Sequence, residues 1–513
     1  MSGHRSIQKI LIANRGEIAV RIIRTCHEMG IRSVAVFSDA DRASLHVRMA
    51  DEAYHVGASP SSESYLRQDR LLEIAKASDS DAIHPGYGFL AENADFAEAC
   101  EQSEICFIGP PADAIRMMGD KTAARALMDD AGVPTVPGTV DSIEDADQAL
   151  LLANEIGYPV LIKAAAGGGG KGMRIVHDSE SFHAAFDAAG REALSAFGDG
   201  RVFIEKYIVE PRHVEFQIMA DHHGNIVHLF ERECSIQRRH QKVIEEAPSK
   251  MLTPQLRKEM GQTAIEVARS CGYVGAGTIE FLIDTDGEFY FMEMNTRLQV
   301  EHAVTEWITG LDLVREQIRI AEGKSLPWKH GDLSIYGHAI ECRIYAEDPL
   351  NNFLPGPGLL ARHRAPDGFG VRVDSGVEQG DEVSTHYDPM ISKVTTWGID
   401  RSTAIDRMRR ALREYEIAGV PTTINFCQFV LEHESFRSGN YSTHFVDQHF
   451  NGRAEREHDT ELEKILAKAA LSIWSPASSL AETSRNGSGQ GAKNRFSSWR
   501  KNRGRPKRLP RSD

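Results

Sequence analysis

Four stretches of this 513-residue chain combine residue types that do chemistry. In the first, Lys163 leads into Ala166, the glycines Gly167, Gly168, Gly169 and Gly170, then Lys171, Gly172 and Met173. Glycine has no Cβ, so backbone N–H groups there can close on phosphate oxygens, and such a loop can fold over a nucleotide as a lid. It is not a P-loop, because Lys171 is followed by Gly172 and Met173 and the order G-x-x-x-x-G-K-[ST] is absent. A flexible linker would need neither lysine, whereas two lysines and a glycine loop fit a triphosphate. In the second stretch, residues 277–283 (GTIEFLI) and 288–295 (EFYFMEMN) read as strands joined by Asp284-Thr285-Asp286-Gly287. Alternation puts Glu293 and Asn295 on one face, and pairing across the hairpin brings Glu280 beside them. Two carboxylates and an amide oxygen suit Mg²⁺ held jointly with nucleotide phosphates. The plainer reading, acidic residues on a solvated face, explains poorly why Phe281, Phe289 and Phe291 surround them.

The third stretch is Thr296-Arg297-Leu298-Gln299-Val300-Glu301-His302, where Arg297 supplies a planar fork for a carboxylate-like oxyanion and Glu301 a base. The fourth, Cys234 to Lys242, packs Arg238, Arg239, His240 and Lys242 into five residues beside Glu245 and Glu246. It forms either a salt-bridged surface or an anion pocket. Residues 202–209 (VFIEKYIV) place Glu205, Lys206 and Ile208 at a strand end, either a hinge offering backbone groups to a purine or a commonplace Glu-Lys pair.

The elements that must position these groups begin with an alternating α/β pattern. Strands are expected at residues 9–14, 33–38, 81–84 and 105–108, with a helix after the first whose Ile18, Ile22, Cys26 and Met29 share a face and which Gly30 ends. This predicts a Rossmann-like parallel-sheet domain over residues 1–115. Asn14-Arg15-Gly16-Glu17 and His84-Pro85-Gly86-Tyr87-Gly88-Phe89 fall after strands, where open α/β sheets bind ligands, although turn chemistry alone accounts for either. The composition, 41% hydrophobic and 26% charged, is that of an ordinary soluble globular protein. No apolar run reaches the roughly 20 residues needed to span a bilayer, and the amino terminus lacks a secretory pattern, so a cytoplasmic protein with no membrane association is expected. Seven scattered cysteines without a C-x-x-C pair suit reduced thiols. Residues 485–513 hold ten Lys or Arg against one acidic residue; set against −15 for the whole chain, this leaves residues 1–484 at −24. That body does not suit nucleic acid, and only the tail, whose composition predicts disorder, offers an acidic partner or nucleic acid a basic face.

The glycine loop, the Glu280 and Glu293-Met294-Asn295 hairpin and the first α/β domain resemble the ATP-grasp superfamily. Within it, residues 84–90 (HPGYGFL), 231–242 (ERECSIQRRHQK) and 293–302 (EMNTRLQVEH) closely resemble biotin carboxylase, with similarity from about residue 7 to about 450. The resemblance implies an α/β and α+β fold: an N-terminal domain over 1–115, an ATP-grasp domain over 116–325 with a mobile glycine-rich lid at about 136–208, a C-terminal biotin carboxylase domain over 335–450, and an extension over 451–513. It implies that ATP is bound by Lys121, Lys163, Gly168, Gly169, Gly170, Glu205, Lys206, Ile208, His213, Gln237 and His240, and Mg²⁺ or Mn²⁺ by Glu280, Glu293 and Asn295. Bicarbonate would sit on Lys242, Arg297, Gln299 and Val300, with Glu301 as the base, Lys242 and Arg297 as its catalytic partners, and Arg343 and Tyr87 facing biotin. The family reaction runs through carboxyphosphate. The chain departs from the pattern at Tyr345, Pro389 and Ser392, which bear on partner choice. It holds no Met-Lys-Met biotin-attachment sequence, so biotin is expected on a separate carrier protein, with carboxyltransferase subunits as further partners, a homodimer as the assembly, and acetyl-CoA as the acceptor. A different ATP-grasp ligase and an inactive nucleotide-binding scaffold are the other readings.

Overall fold

The structure is a computed structural model that describes residues 6–139, 142–164, 173–197, 200–238 and 241–450, together with 464, 465 and 468. It divides into two compact units, Met1–Gly452 and Arg453–Asp513. The candidate site lies in the first.

The amino-terminal region is a five-stranded parallel sheet of β1 (Lys9–Ile12), β2 (Arg32–Ser38), β3 (Glu52–Gly57), β4 (Ala82–His84) and β5 (Cys106–Phe107), in the order β3-β2-β1-β4-β5. Short runs such as Lys9–Ile12 form central strands because both faces are covered; the helix α1 (Gly16–Glu28) buries Ile18, Ile22, Ile23 and Cys26 against one of them. The sequence pattern predicts four strands. It misses β3, whose EAYHVG run sits on the sheet edge and mixes exposed with half-buried positions, so no apolar run marks it. The loops after β1 and β4 are tied together: Asn14 Nδ2 donates to the carbonyls of Pro85 (2.7 Å) and Tyr87 (2.8 Å). Gly86, at φ +65°, is required there, since a Cβ would meet Asn14 Nδ2 at 2.9 Å. These two segments are therefore a joined scaffold at the carboxyl ends of the strands.

A three-stranded antiparallel sheet follows, β6 (Val160–Ala164) lying between β7 (Arg174–Val176) and β8 (Val202–Lys206). Its own small core joins Val160, Ile162, Val176, Val202 and Ile204 to Ala149, Ala153, Phe182 and Phe186 of two covering helices. The glycine loop joins β6 to β7, and its residues 165–172 lie outside the described ones.

The largest element is an eight-stranded antiparallel sheet. In chain order its first six strands are β9 (Arg212–Ala220), β10 (Ile226–Arg238), β11 (Gln241–Ala247), β12 (Gly275–Ile283), β13 (Phe289–Asn295) and β14 (His338–Tyr345), arranged β13-β12-β9-β10-β11-β14. Met390–Gly398 and then Val371–Ser375 complete it beyond β14. Side chains alternate across a strand, and here the two faces differ in kind. Val214, Phe216, Ile218, Ile279, Phe281 and Ile283 pack into an apolar core with the helix Pro254–Ser270. The intervening His213, Glu215, Gln217, Thr278 and Glu280 are equally buried but polar. Among the described residues no helix is long and apolar enough to cross a membrane.

Candidate active site

The polar face of the large sheet assembles around one ammonium group. Lys242 Nζ on β11 meets Glu215 Oε2 at 2.6 Å, Glu280 Oε1 at 2.8 Å and Glu301 Oε1 at 2.8 Å. Register explains the convergence: Glu215 on β9 lies opposite both Glu280 on β12 and Arg232 on β10, while Gln237 pairs with Lys242 across β10 and β11. A buried charge is costly unless paired, and here pairing decides the protonation states. Burial alone would push the Lys242 ammonium down, but the three carboxylates outweigh it and hold its pKa well above the usual range. Burial would likewise raise Glu301, yet Lys242, Arg343 and Arg232 hold it well below the carboxylate range. Lys242 and His213 do the same for Glu280. For Glu215 burial prevails and the carboxyl is pushed up.

Arg232, with no exposed surface, braces this group from beneath. It donates to Glu215 Oε1 (2.5 Å), Gln217 Oε1 (2.7 Å), Thr305 Oγ1 (3.0 Å), Thr278 Oγ1 (3.1 Å) and Gln299 Oε1 (2.9 Å). Gln299 in turn donates to Glu280 Oε1 at 2.8 Å, so the amide is oriented at both ends. Asn295 Nδ2 donates to the same Glu280 oxygen at 2.9 Å, and Asn295 Oδ1 accepts from Arg297 Nη2 at 2.9 Å. Arg297 is anchored from the first sheet's side by Glu92, at 2.7 Å to its Nε.

Glu301 links two cations, because its second oxygen accepts from Arg343 Nη2 at 2.9 Å. Arg343 Nε also holds Glu245 Oε1 at 2.6 Å. Beyond Glu301, the carbonyl of Val300 accepts from Lys393, a fully buried lysine on Met390–Gly398 whose ammonium lies 3.4 Å from Glu17 Oε1. Tyr87 donates to the same Glu17 oxygen. Burial and Glu17 push the Tyr87 phenol far up, so it remains a donor.

The residues expected around a nucleotide fall into two groups. His213 Nε2 stands 2.7 Å from Glu280 Oε2, and its Nδ1 is 2.7 Å from Gln237 Nε2, so these two join the carboxylate cluster. Lys163, Glu205, Lys206 and Ile208 belong to the small sheet and the segment after it. Lys163 pairs with Glu205, and Lys206 donates to the carbonyls of Gly157 (2.8 Å) and Tyr158 (3.1 Å). Both lysine side chains are thus engaged within the small sheet and the turn before it.

Of the expected metal ligands, Glu280 and Asn295 are in contact. Glu293 pairs with Glu280 in register, but a bulge next to Glu280 leaves both Met292 and Glu293 at exposed positions. The side chain of Lys121, and Gly168, Gly169, Gly170 and His240, lie outside the described residues. Four contributors are not singled out by the sequence pattern: Glu215, Arg232, Lys393 and Glu92. For Glu215 there is a signal, polar residues alternating with apolar ones in Arg212–Ala220, a pattern a buried strand uses only when its polar side chains find partners. Glu92 and Lys393 are contacts between segments distant in the chain, which no local pattern announces.

Family models match most of the chain. Residues 6–115 match "Biotin carboxylase, N-terminal domain", residues 120–329 "Carbamoyl-phosphate synthase L chain, ATP binding domain", and residues 341–448 "Biotin carboxylase C-terminal domain". A pyruvate carboxylase subunit from Methanothermobacter thermautotrophicus is 55% identical over 458 residues, 89% of this chain and 92% of that protein. The biotin carboxylase of Nostoc sp. is 55% identical over 440 residues, covering 86% of this chain and 98% of the relative. Among solved structures, the biotin carboxylase domain of a thermophilic 2-oxoglutarate carboxylase bound to bicarbonate superposes with a TM-score of 0.84 at 46% identity, over 87% of this chain and 98% of that one.

Proposed function

Since the chain belongs to the biotin carboxylase family, we propose that it performs the first half-reaction of a biotin-dependent carboxylase, using ATP and bicarbonate to carboxylate biotin borne on a separate carrier protein. It is a ligase that carboxylates biotin. The observation that carries the mechanistic reading is Glu301, held between Lys242 at 2.8 Å and Arg343 at 2.9 Å.

ATP lies between the small sheet, with Lys163, Glu205, Lys206 and Ile208, and the strand ends of the large one, with His213 and Gln237; Lys121, Gly168, Gly169, Gly170 and His240 complete its contacts. The oxygens of Glu280, Asn295 and Glu293 suit a hard divalent cation, Mg²⁺ or Mn²⁺, which when bound neutralises charge on the phosphates. Bicarbonate sits on Lys242, Arg297, Gln299 and the Val300 backbone. In the site as it stands Glu301 is ionised and held low. An anion arriving on Lys242 takes a share of that ammonium's charge, so the proton affinity of Glu301 rises as the substrate that must lose a proton binds. Glu301 then takes the bicarbonate proton, a bicarbonate oxygen attacks the γ-phosphorus, and ADP leaves. The resulting carboxyphosphate breaks its C–O bond to give CO₂ and phosphate. That phosphate accepts the ureido N–H proton of biotin, Arg297 stabilises the enolate that forms, and the nitrogen attacks CO₂. Arg343 and Tyr87 orient biotin.

The acceptor of the second half-reaction is set by the carboxyltransferase partner. Acetyl-CoA is the proposed acceptor, with propionyl-CoA, pyruvate and 2-oxoglutarate as the competing outcomes when the chain is reconstituted with its carrier and carboxyltransferase. A homodimer is the proposed assembly; an exposed aromatic patch of Phe369 and Tyr336 about Trp397 supports it, since apolar surface gathered in one place marks interfaces. Cytoplasmic residence is proposed with it.

The test is bicarbonate-dependent ATP hydrolysis with and without free biotin, beside Arg343→Ala. Biotin is expected to accelerate ADP release in the parent and at least about tenfold less in the variant, the scale of one charged hydrogen bond. ATP turnover that ignores biotin would instead make the chain a different ATP-grasp ligase.

A further inference from the structure

Glu341 is buried beside the site, yet no step above uses it. It lies on β14 directly opposite Glu245 on β11, and neither residue has exposed surface. Residues opposite one another on one face of an antiparallel pair bring their Cβ atoms within about 4.5–5.5 Å. Each carboxyl has one oxygen accounted for: Glu245 Oε1 accepts from Arg343 Nε at 2.6 Å, and Glu341 Oε2 from Thr395 Oγ1 at 2.8 Å. The other oxygen of each, Glu245 Oε2 and Glu341 Oε1, is buried and accepts from no described donor. Two facing carboxylates with a bare oxygen apiece combine repulsion with lost hydration. One proton removes both costs, because a protonated carboxyl donates to its ionised neighbour.

We propose that Glu245 and Glu341 share a single proton, and that this dyad positions Arg343: singly charged, it leaves the guanidinium divided between Glu301 and biotin, and doubly charged, it draws Arg343 onto the sheet and away from biotin. The proposal rests on the reading that Arg343 faces biotin. The surroundings agree. Burial first, then the repulsion of Glu341 and Glu301 working against Arg343 and Lys242, pushes Glu245 up to about 8. Burial likewise pushes Glu341 up to about 7, against Lys393, Arg343 and the Thr395 hydroxyl. Lys393 is shared with Glu17 and Asp374. From the helix His302–Thr309, His302 is kept neutral by burial and Glu306 is engaged by Arg21 and Arg372. The helix Arg401–Glu414 covers the opposite, apolar face of β14 with Ala404, Ile405 and Met408. Among the described residues no further cation is left to neutralise a second charge on the pair.

The experiment uses the full chain, Glu341→Gln and Glu341→Asp. Infrared difference spectra of parent minus Glu341→Gln are expected to show a carboxylic-acid C=O band at neutral pH that titrates away above about pH 8. In parallel, parent kcat/KM for free biotin falls about tenfold per pH unit above that point, the slope of one proton. Glu341→Gln, fixed in the neutral form, loses the alkaline limb, whereas Glu341→Asp keeps it. A purely structural role for Glu341 would lower the melting temperature of the variants without moving the limb. The proposal is overturned if the acid band is missing from the difference spectrum, or if Glu341→Gln keeps the parent's limb. A parent whose ATP turnover ignores biotin would overturn the functional reading instead, and the infrared band would still decide the dyad.

Discussion

The two sheets that would enclose a nucleotide are built on opposite principles. Around the large sheet, Arg232, Glu215, Glu280, Glu301 and Arg343 are buried, Lys242 keeps only 13% of its side-chain surface exposed, and each holds others at hydrogen-bond distance before any ligand arrives. On the small sheet the corresponding ion pair, Lys163 with Glu205, keeps 37% and 22% of its side-chain surface exposed. The small sheet packs mainly on its own two helices and meets its surroundings through short bridges, Gly138 with Glu205 and Ile143 with Val202. Under the proposed function, rigid preorganisation would stand where charge develops on the reacting oxygens, and loosely bound cations where the nucleotide enters and leaves. Electrostatic changes in the first region should therefore damage stability and chemistry together, and in the second only affinity.

The largest expected effect is at the centre of the cluster. Lys242→Met leaves Glu215, Glu280 and Glu301 facing one another without their shared cation. Bicarbonate-dependent ATP turnover should fall by about 10²–10³-fold, the scale of removing one preorganised donor. Stability should fall by about 3–5 kcal/mol, the scale of breaking a buried ion pair. The pH dependence gives the sharper reading. In the parent, Glu280 and Glu301 lie below their unfolded values, so their contribution is complete above about pH 4.3 and is lost only as pH falls through the folded values. Without Lys242 the same carboxyls lose their largest favourable charge and burial raises them, with Arg343 and Arg232 left on Glu301 and His213 on Glu280. Keeping them ionised therefore costs the folded state more as pH climbs from about 4.3 towards their new folded values. Thermal melts across neutral pH should show the gap between variant and parent widening as pH rises. A constant gap would break the comparison, since Lys242 would then not be what holds the carboxylates ionised.

Next in size is Arg232→Met. The methionine fills much of the same volume but leaves Glu215 Oε1, Gln217 and Gln299 without their Arg232 donor in the buried interior, with Lys242 still on the other Glu215 oxygen. Urea unfolding should report a loss of about 3–5 kcal/mol, and adding Glu215→Gln should restore part of it by removing a buried charge that has lost one of its two cations. A loss below about 1 kcal/mol would place this residue in the class of exposed pairs and remove the distinction between the sheets.

Much of this contrast is legible in the sequence, though unevenly. Residues 277–283 and 288–295 announce a hairpin through alternation and a Gly-containing turn, and β12 and β13 pair Glu280 with Glu293 and Thr278 with Asn295. The amino-terminal strands are legible wherever both faces are apolar, and β3 is not, because an edge strand needs no such run. The residue types leave open a salt-bridged surface or an anion pocket, and they do not announce that Lys242, 13% exposed, meets carboxylates from three other segments. That sum over distant segments has no local signature. For the same reason Arg232, Glu92 and Lys393 escape a reading of the sequence, and so does the stacking of Glu341 against Glu245, which depends on which strands become neighbours.

The smallest expected effect separates affinity from architecture. Lys163→Met removes a half-exposed ammonium whose one described partner, Glu205, also has the Arg125 guanidinium 3.9 Å away. An exposed ion pair contributes about 0.2–1 kcal/mol, because its charges remain hydrated and two long side chains must be held in place. Unfolding of the variant should therefore match the parent within about 1 kcal/mol. The KM for ATP should rise about tenfold, the weight of one charge-assisted contact to a phosphate, while the KM for bicarbonate stays fixed. If Lys163→Met instead lost as much stability as Lys242→Met, the small sheet would be a rigid wall like the large one. Nucleotide entry would then have to be explained by motion elsewhere in the chain.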